Sequence, residues 1–315
     1  MKGRRQKIIM TSLPLLAALF VLGFFPQSEE FPRLAGPYLG QKPPGMIPEL
    51  FAPGIVSVER DLHSCPAFSK DGNFVFWSTM NSPTGDGIYF MERKNDRWTD
   101  PVLAPFLHPD DDVPYFPSDD DKIFFISQNE YKKTRKERIW FSKRTNGKWE
   151  KPECFAAFDP PIEQVHWQFT ISARGNIYFG GIQEGGYGAY DLFEAIKNET
   201  NGSYSYRLLP PPLNSKDSDI CPYIAPDESY LIFASKNRTG GFGGTDIYIC
   251  FKKPDGRWTD PINMGPKINS PSQENCPMIS PDGQYIFFTS FKSGKCHPYW
   301  VSAKIIDKLR PNESA

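Results

Sequence analysis

Five short stretches place chemistry-bearing side chains at one recurring position: His63-Ser64-Cys65, Asp111-Asp112-Val113, Val165-His166-Trp167, Asp219-Ile220-Cys221 and Glu274-Asn275-Cys276. Each ends one residue before Pro66, Pro114, Gln168, Pro222 or Pro277, anchors that step along the chain by 48, 54, 54 and 55 residues. Two of the 4 histidines and four carboxylates therefore share one place in a repeat. Gathered on a ring, His63, Asp111, Asp112, His166, Asp219 and Glu274 would suit a divalent metal. With Trp167 they would suit a hydroxyl-rich ligand. A carboxylate pair flanking a sugar would also permit glycoside hydrolysis. The bland alternative is a wet, polar mouth that binds nothing.

Cysteine occupies the third position in three of the five stretches. The full set of 6 is even, which permits disulfides in an oxidising compartment. Equivalent positions on separate repeats are expected to lie too far apart for disulfide geometry. Buried free thiols are then the simple reading and a thiolate metal site the sharp one. No CxxC pair supports the metal, and no GxSxG elbow supports a nucleophilic serine.

The elements that must position these residues follow from the same repeat. After each anchor comes a polar turn, as in "SKDG" (69–72) or "SPDG" (280–283), then a strand of alternating aromatic and aliphatic residues. A third strand follows a variable loop: "GIYFMER" (87–93), "RIWFSKR" (138–144), "YDLFEAI" (190–196), "TDIYICF" (245–251) and "HPYWVSA" (297–303). A fourth element comes next, often opened by Trp, as in "WTDPVLAPF" (98–106). Four strands per unit of about 50 residues is the pattern of a β-propeller blade. The fifth unit lacks its fourth strand, while "PELFAPGIVS" (48–57) matches "PINMGPKINS" (261–270). The N-terminal segment is therefore expected to complete the last blade and leave no open edge in the ring.

The "SPDG" turn, "GGTDIY" (243–248) and "DGRWTDPINMG" (255–265) resemble the WD-like propeller repeats of the TolB type over about residues 46–305. The resemblance implies an all-β propeller that serves mostly as a binding platform and only sometimes carries catalysis. TolB has six blades and an extra N-terminal domain. Here the repeat predicts five blades, with six as the alternative.

Other motifs have structural readings. Asp71, Asp227 and Asp282 lack the spacing of an EF-hand and fit hairpin turns. Asp86, Asp191 and Asp246 precede the third strand and are expected to cap backbone amides there. "RTGGFGGTD" (238–246) lacks the Lys-Ser/Thr of a P-loop and reads as a flexible loop. "YKKTRKER" (131–138) reads as a solvated basic loop.

Composition bounds the partners. With 36 Lys+Arg against 37 Asp+Glu the chain has no basic field for nucleic acid. Residues 1–25, a basic start followed by an uncharged apolar run over 8–25, read as a signal peptide or membrane anchor. Residues 26–45 read as a Pro/Gly-rich linker, 46–306 as the propeller and 307–315 as a polar tail. The expected protein is exported, periplasmic or extracellular, touches a membrane only through its N-terminal segment and forms a monomeric domain. Its expected role is non-catalytic binding of a protein or glycan, the alternative being a carbohydrate-active hydrolase or lyase. No organic cofactor is expected.

Overall fold

The computed structural model describes residues 34–59, 61–80, 86–108, 111–117, 122–127, 138–155 and 165–311. The stretch 1–25 read as a signal peptide or membrane anchor, the stretch 131–137 read as a basic loop, and residues 312–315 lie outside the described residues.

Five small antiparallel sheets stand in a ring, giving an all-β, five-bladed β-propeller. The third blade shows the plan plainly: His166–Ile171 innermost, then Ile177–Gly181, Asp191–Lys197 and Tyr204–Leu208 outermost. The fourth repeats it with Asp219–Ile224, Tyr230–Lys236, Thr245–Phe251 and Ile262–Asn263. In the first two blades the outer strand breaks into short pieces, Arg97–Trp98 with Val102–Leu103 and Lys148–Trp149 with Glu153–Cys154.

Blades stack face to face, so their middle strands are buried on both sides. Every residue of Thr245–Phe251 is buried. This is why aromatic and aliphatic residues fill both alternating positions instead of one. Between the first and second blades Phe76, Ile88, Phe116, Phe125 and Trp140 form one core cluster. Between the third and fourth, Tyr178, Leu192, Ile224, Phe233 and Tyr248 form another. The turns between first and second strands are held by their own carboxylates. Asp71 accepts from Ser69 Oγ at 2.6 Å and Asp282 from Ser280 Oγ at 2.6 Å, as the turn reading of these residues requires.

The ring closes as the sequence match between 48–57 and 261–270 predicts. Glu49–Leu50 pairs with the third strand of the fifth blade, Glu49 opposite Trp300 and Leu50 opposite Tyr299. Phe51, fully buried, meets Trp300 at 5.2 Å, Phe287 at 5.1 Å and Phe68 of the first blade at 6.0 Å between ring centroids. Such edge-to-face aromatic contacts add to the apolar burial that holds the closure.

The described part of the expected linker, 34–45, is packed against the propeller. Tyr38 lies 5.1 Å from Phe68 and 5.6 Å from Trp300, and Leu39 is buried. Trp98 Nε1 donates to Gly36 O at 2.8 Å, and Gln41 donates to Leu50 O and accepts from Ala52 N–H. The Pro/Gly composition hid a buried leucine and a half-buried tyrosine among turn residues. At the other end a helix, Lys304–Leu309, turns Ile305 and Ile306 inward and crosses the boundary expected between the propeller, 46–306, and the polar tail, 307–315.

Candidate functional site

A bulge in each innermost strand carries the recurrent positions. In the fourth blade Ile220 pairs with Ala234 and Tyr223 with Ile232, so Cys221 and Pro222 oppose Phe233 alone. The second and fifth blades have the same step, between Asp112 and Tyr115 and between Asn275 and Met278. Val113, Cys221 and Cys276 take positive φ angles of 50°, 52° and 51°. That left-handed backbone is unfavourable for any side chain with a Cβ, and most for β-branched valine. The bulge re-aims the chain toward the axis. There Gln168, fully buried, donates from Nε2 to Pro277 O at 2.7 Å and Pro222 O at 3.4 Å. A side chain of the third blade is thereby tied to the fourth and fifth across the axis.

The structure sorts the seven expected site residues into three groups. Asp111, Asp219 and Glu274 are turned into their own blades. Asp219 Oδ2 accepts the Ser215 N–H at 2.6 Å, and its Oδ1 accepts Ser235 Oγ at 2.5 Å and Arg238 Nη2 at 2.9 Å. Glu274 accepts the Ser270 N–H at 2.9 Å, Ser270 Oγ at 2.6 Å and Ser290 Oγ at 2.7 Å. Asp111 accepts the His108 N–H at 2.7 Å. All three are buried. Burial pushes Glu274 above the usual carboxyl range despite its serine donors.

His63 and Asp112, the second group, come together across the first two blades and hydrogen-bond through Nδ1 and Oδ2. In the first blade four bulge residues, 63–66, oppose only two, which lets His63 reach its neighbour. Burial raises the Asp112 carboxyl, but the His63 bond and charge, with Ser78 and the Val113 N–H, outweigh it and hold Asp112 below its ordinary value. His166 and Trp167 form the third group. Their backbones enter the bulge of the third blade and their side chains lie outside the described set. Among the described residues no group of three or more His, Cys, Asp or Glu is placed to hold a metal ion.

The thiols do converge. Cys221 Sγ lies 3.5 Å from Cys276 Sγ, and Cys276 Sγ lies 3.6 Å from His63 O. The sequence-based expectation that equivalent cysteines stand too far apart is therefore corrected for this pair, because the left-handed bulges point both side chains at the axis. Burial raises Cys221, but the hydrogen bonds from Cys276, the charge of His63 and a backbone bond at Gln168 bring it below the usual thiol value. A small pocket of about 150 Å³ reaches Cys276 and Cys296 between His63, Asn275 and Thr289.

The larger cavity opens at the opposite end of the axis. Its volume is about 320 Å³, and all five blades contribute to its wall. Pro66 and Phe68, Phe116 and Pro117, Ile171 and Ala173, Tyr223 and Pro226, Met278 and Pro281 line it in successive pairs. Tyr115 is pushed up to about 12 by burial, against its hydrogen bond to Ile171 O, and Tyr230 also to about 12 by burial, so both stay neutral at ordinary pH. This bowl was missed from the sequence, although a signal stands there. Proline precedes the turn in "FPSDD", "APDES" and "SPDGQ", three residues after the bulge anchor or four.

No protein-family model matches the chain, and no curated protein sequence does. Similar solved structures share the fold. A glycoside hydrolase structure aligns over 88% of this chain and 95% of its own, at 13% identity and TM-score 0.51. TolB of Agrobacterium tumefaciens aligns over 72% of this chain and 69% of its own, at 17% identity and TM-score 0.48. TolB of Acinetobacter baumannii aligns over 78% of this chain at 12% identity and TM-score 0.48, and the chain spans 52% of that protein's length.

Proposed function

We propose that this propeller is an exported, non-catalytic platform that takes an apolar segment of a partner protein into its axial bowl. The observation that carries the reading is the bowl's wall, apolar side chains supplied in turn by every blade. At about 320 Å³ it holds one or two side chains, near the lower limit of ligand pockets. Its prolines, tyrosines and aliphatics suit a partner's proline or aliphatic anchor. A glycan would demand many hydrogen bonds, and the Tyr115 hydroxyl already donates to Ile171 O. The export reading rests on the basic start and apolar run of the first 25 residues.

The alternative, a carbohydrate-active hydrolase, needs two carboxylates facing each other over open space. Asp219 and Glu274 instead spend both oxygens inside their own blades. The test is a displayed-peptide selection on the full chain, followed by affinity measurement on the Ala173→Arg variant. Ala173 is exposed on the bowl's rim, so the fold should tolerate the change. Selected peptides should carry proline or large apolar residues and lose at least roughly tenfold in affinity, the scale of one lost anchor. Peptides indifferent to the variant, or release of reducing sugar from polysaccharide by the wild type, would refute the reading.

A further inference from the structure

We infer that Cys221 and Cys276 are a redox pair, and that their oxidation to a disulfide staples the fourth blade to the fifth at the propeller axis. The inference stands on geometry independent of the binding role proposed above. The two sulfurs touch at 3.5 Å, and a disulfide bond needs about 2 Å. Both residues occupy the same bulge position on adjacent blades with nearly equal φ, 52° and 51°. Two like backbone segments therefore present their thiols to each other, and the remaining gap is left to the side-chain torsions and small shifts of the two bulges. Both are free and buried, so their pairing competes with no other cross-link.

Access comes from the small pocket at that mouth, which Cys276 and Cys296 line and Cys221 does not. A volume of about 150 Å³ admits a small oxidant such as a hydroperoxide. The bond to Cys221 and burial hold the Cys276 thiol above its ordinary value, so its proton leaves as the sulfur attacks one peroxide oxygen: the O–O bond breaks, water departs and Cys276 becomes a sulfenic acid. The Cys221 thiolate then attacks the sulfenic sulfur, the S–S bond forms and the S–O bond breaks, releasing hydroxide. With the two thiol protons the products are the disulfide and two waters. The peroxide is the species reduced. The cross-link closes a loop of the chain between the two blades, which removes freedom from the unfolded state and should stabilise the ring.

The experiment treats the reduced full-length chain with equimolar hydrogen peroxide, denatures it, alkylates the remaining thiols and maps the peptides by mass spectrometry. The expected result is one linked species joining the peptides of Cys221 and Cys276, two hydrogens lighter than the reduced pair and reversed by dithiothreitol. The link should persist in Cys65→Ser and Cys296→Ser, and the oxidised wild type should melt several degrees higher. Alkylation of all 6 cysteines, sulfinic acid at Cys276 in place of the link, or a link from either residue to Cys65 or Cys296 would overturn the inference. The wild-type map is decisive on its own, whether or not a Cys276→Ser chain folds.

Discussion

Glu228 shows how a single carboxylate holds two blades. It follows the first strand of the fourth blade, and its Oε1 accepts Ser172 Oγ at 2.9 Å and Asn176 Nδ2 at 2.8 Å from the third. Lys252 Nζ donates to its Oε2 at 3.1 Å. Burial pushes the Glu228 carboxyl up, but these three donors outweigh it, so its folded value lies below the ordinary one. A depressed folded value means that the stabilisation is complete above the unfolded value of about 4.3 and is lost as pH falls through the folded value. Glu228→Gln should therefore destabilise by about 1–3 kcal/mol at neutral pH. Melting curves of both proteins from pH 7 to pH 3 should draw together as pH falls below the ordinary glutamate value of about 4.3. A difference that stays constant across that range would show that the charge contributes nothing. Asp219 and Glu274 belong to the same class of residue. Their type and repetition suggested ligand chemistry, while their bonds to Ser215, Ser235, Ser270 and Ser290 make them braces.

At the scale of elements, the glycine-rich loops are latches. Asp191 accepts the Tyr187 N–H at 2.9 Å and Asp246 accepts the Phe242 N–H at 2.6 Å, the capping that the sequence predicts. The loop expected to be flexible is thus fixed, and it reaches the next blade, where Gly244 N–H donates to Ser272 O at 3.1 Å. A methyl group at Gly188 would land on the Asp217 carbonyl, and one at Gly243 on the carbonyls of Ser272 and Ser270. Gly188→Ala should cost about 3 kcal/mol, because the obstacle is backbone and cannot swing aside. A melting temperature within a degree of wild type would contradict the latch. The blades themselves were legible because each repeats a period-2 pattern and a turn, and four of the five carry a proline anchor. The bulges were not, since residues such as Val113 and Cys221 give no hint of a left-handed backbone. Where each carboxylate points depends on serines in neighbouring strands, which the spacing of the anchors does not reveal. The bowl escaped because its wall is assembled from a few ordinary apolar residues of each blade.

At the scale of the whole molecule, stability depends on a closure made by very few residues. Glu49–Leu50 supplies the fifth blade's outer strand, and Phe51 and Val56 are fully buried beside it. Deleting residues 46–57 should lower the melting temperature by roughly 10 °C or more, as the loss of two large core side chains and a strand implies. An unchanged transition in calorimetry would mean that the ring does not need its seal. The seal also sets an order of events during synthesis. Leu50 pairs with Tyr299 of the fifth blade, so the two halves of that blade come from opposite sides of the other four. The strand Glu49–Leu50 must wait, unpaired, until the fifth blade has been made, and joining such distant segments is slow. The circle can therefore close only once all five blades exist, so a chain cut short before Tyr299 leaves its N-terminal strand without a partner.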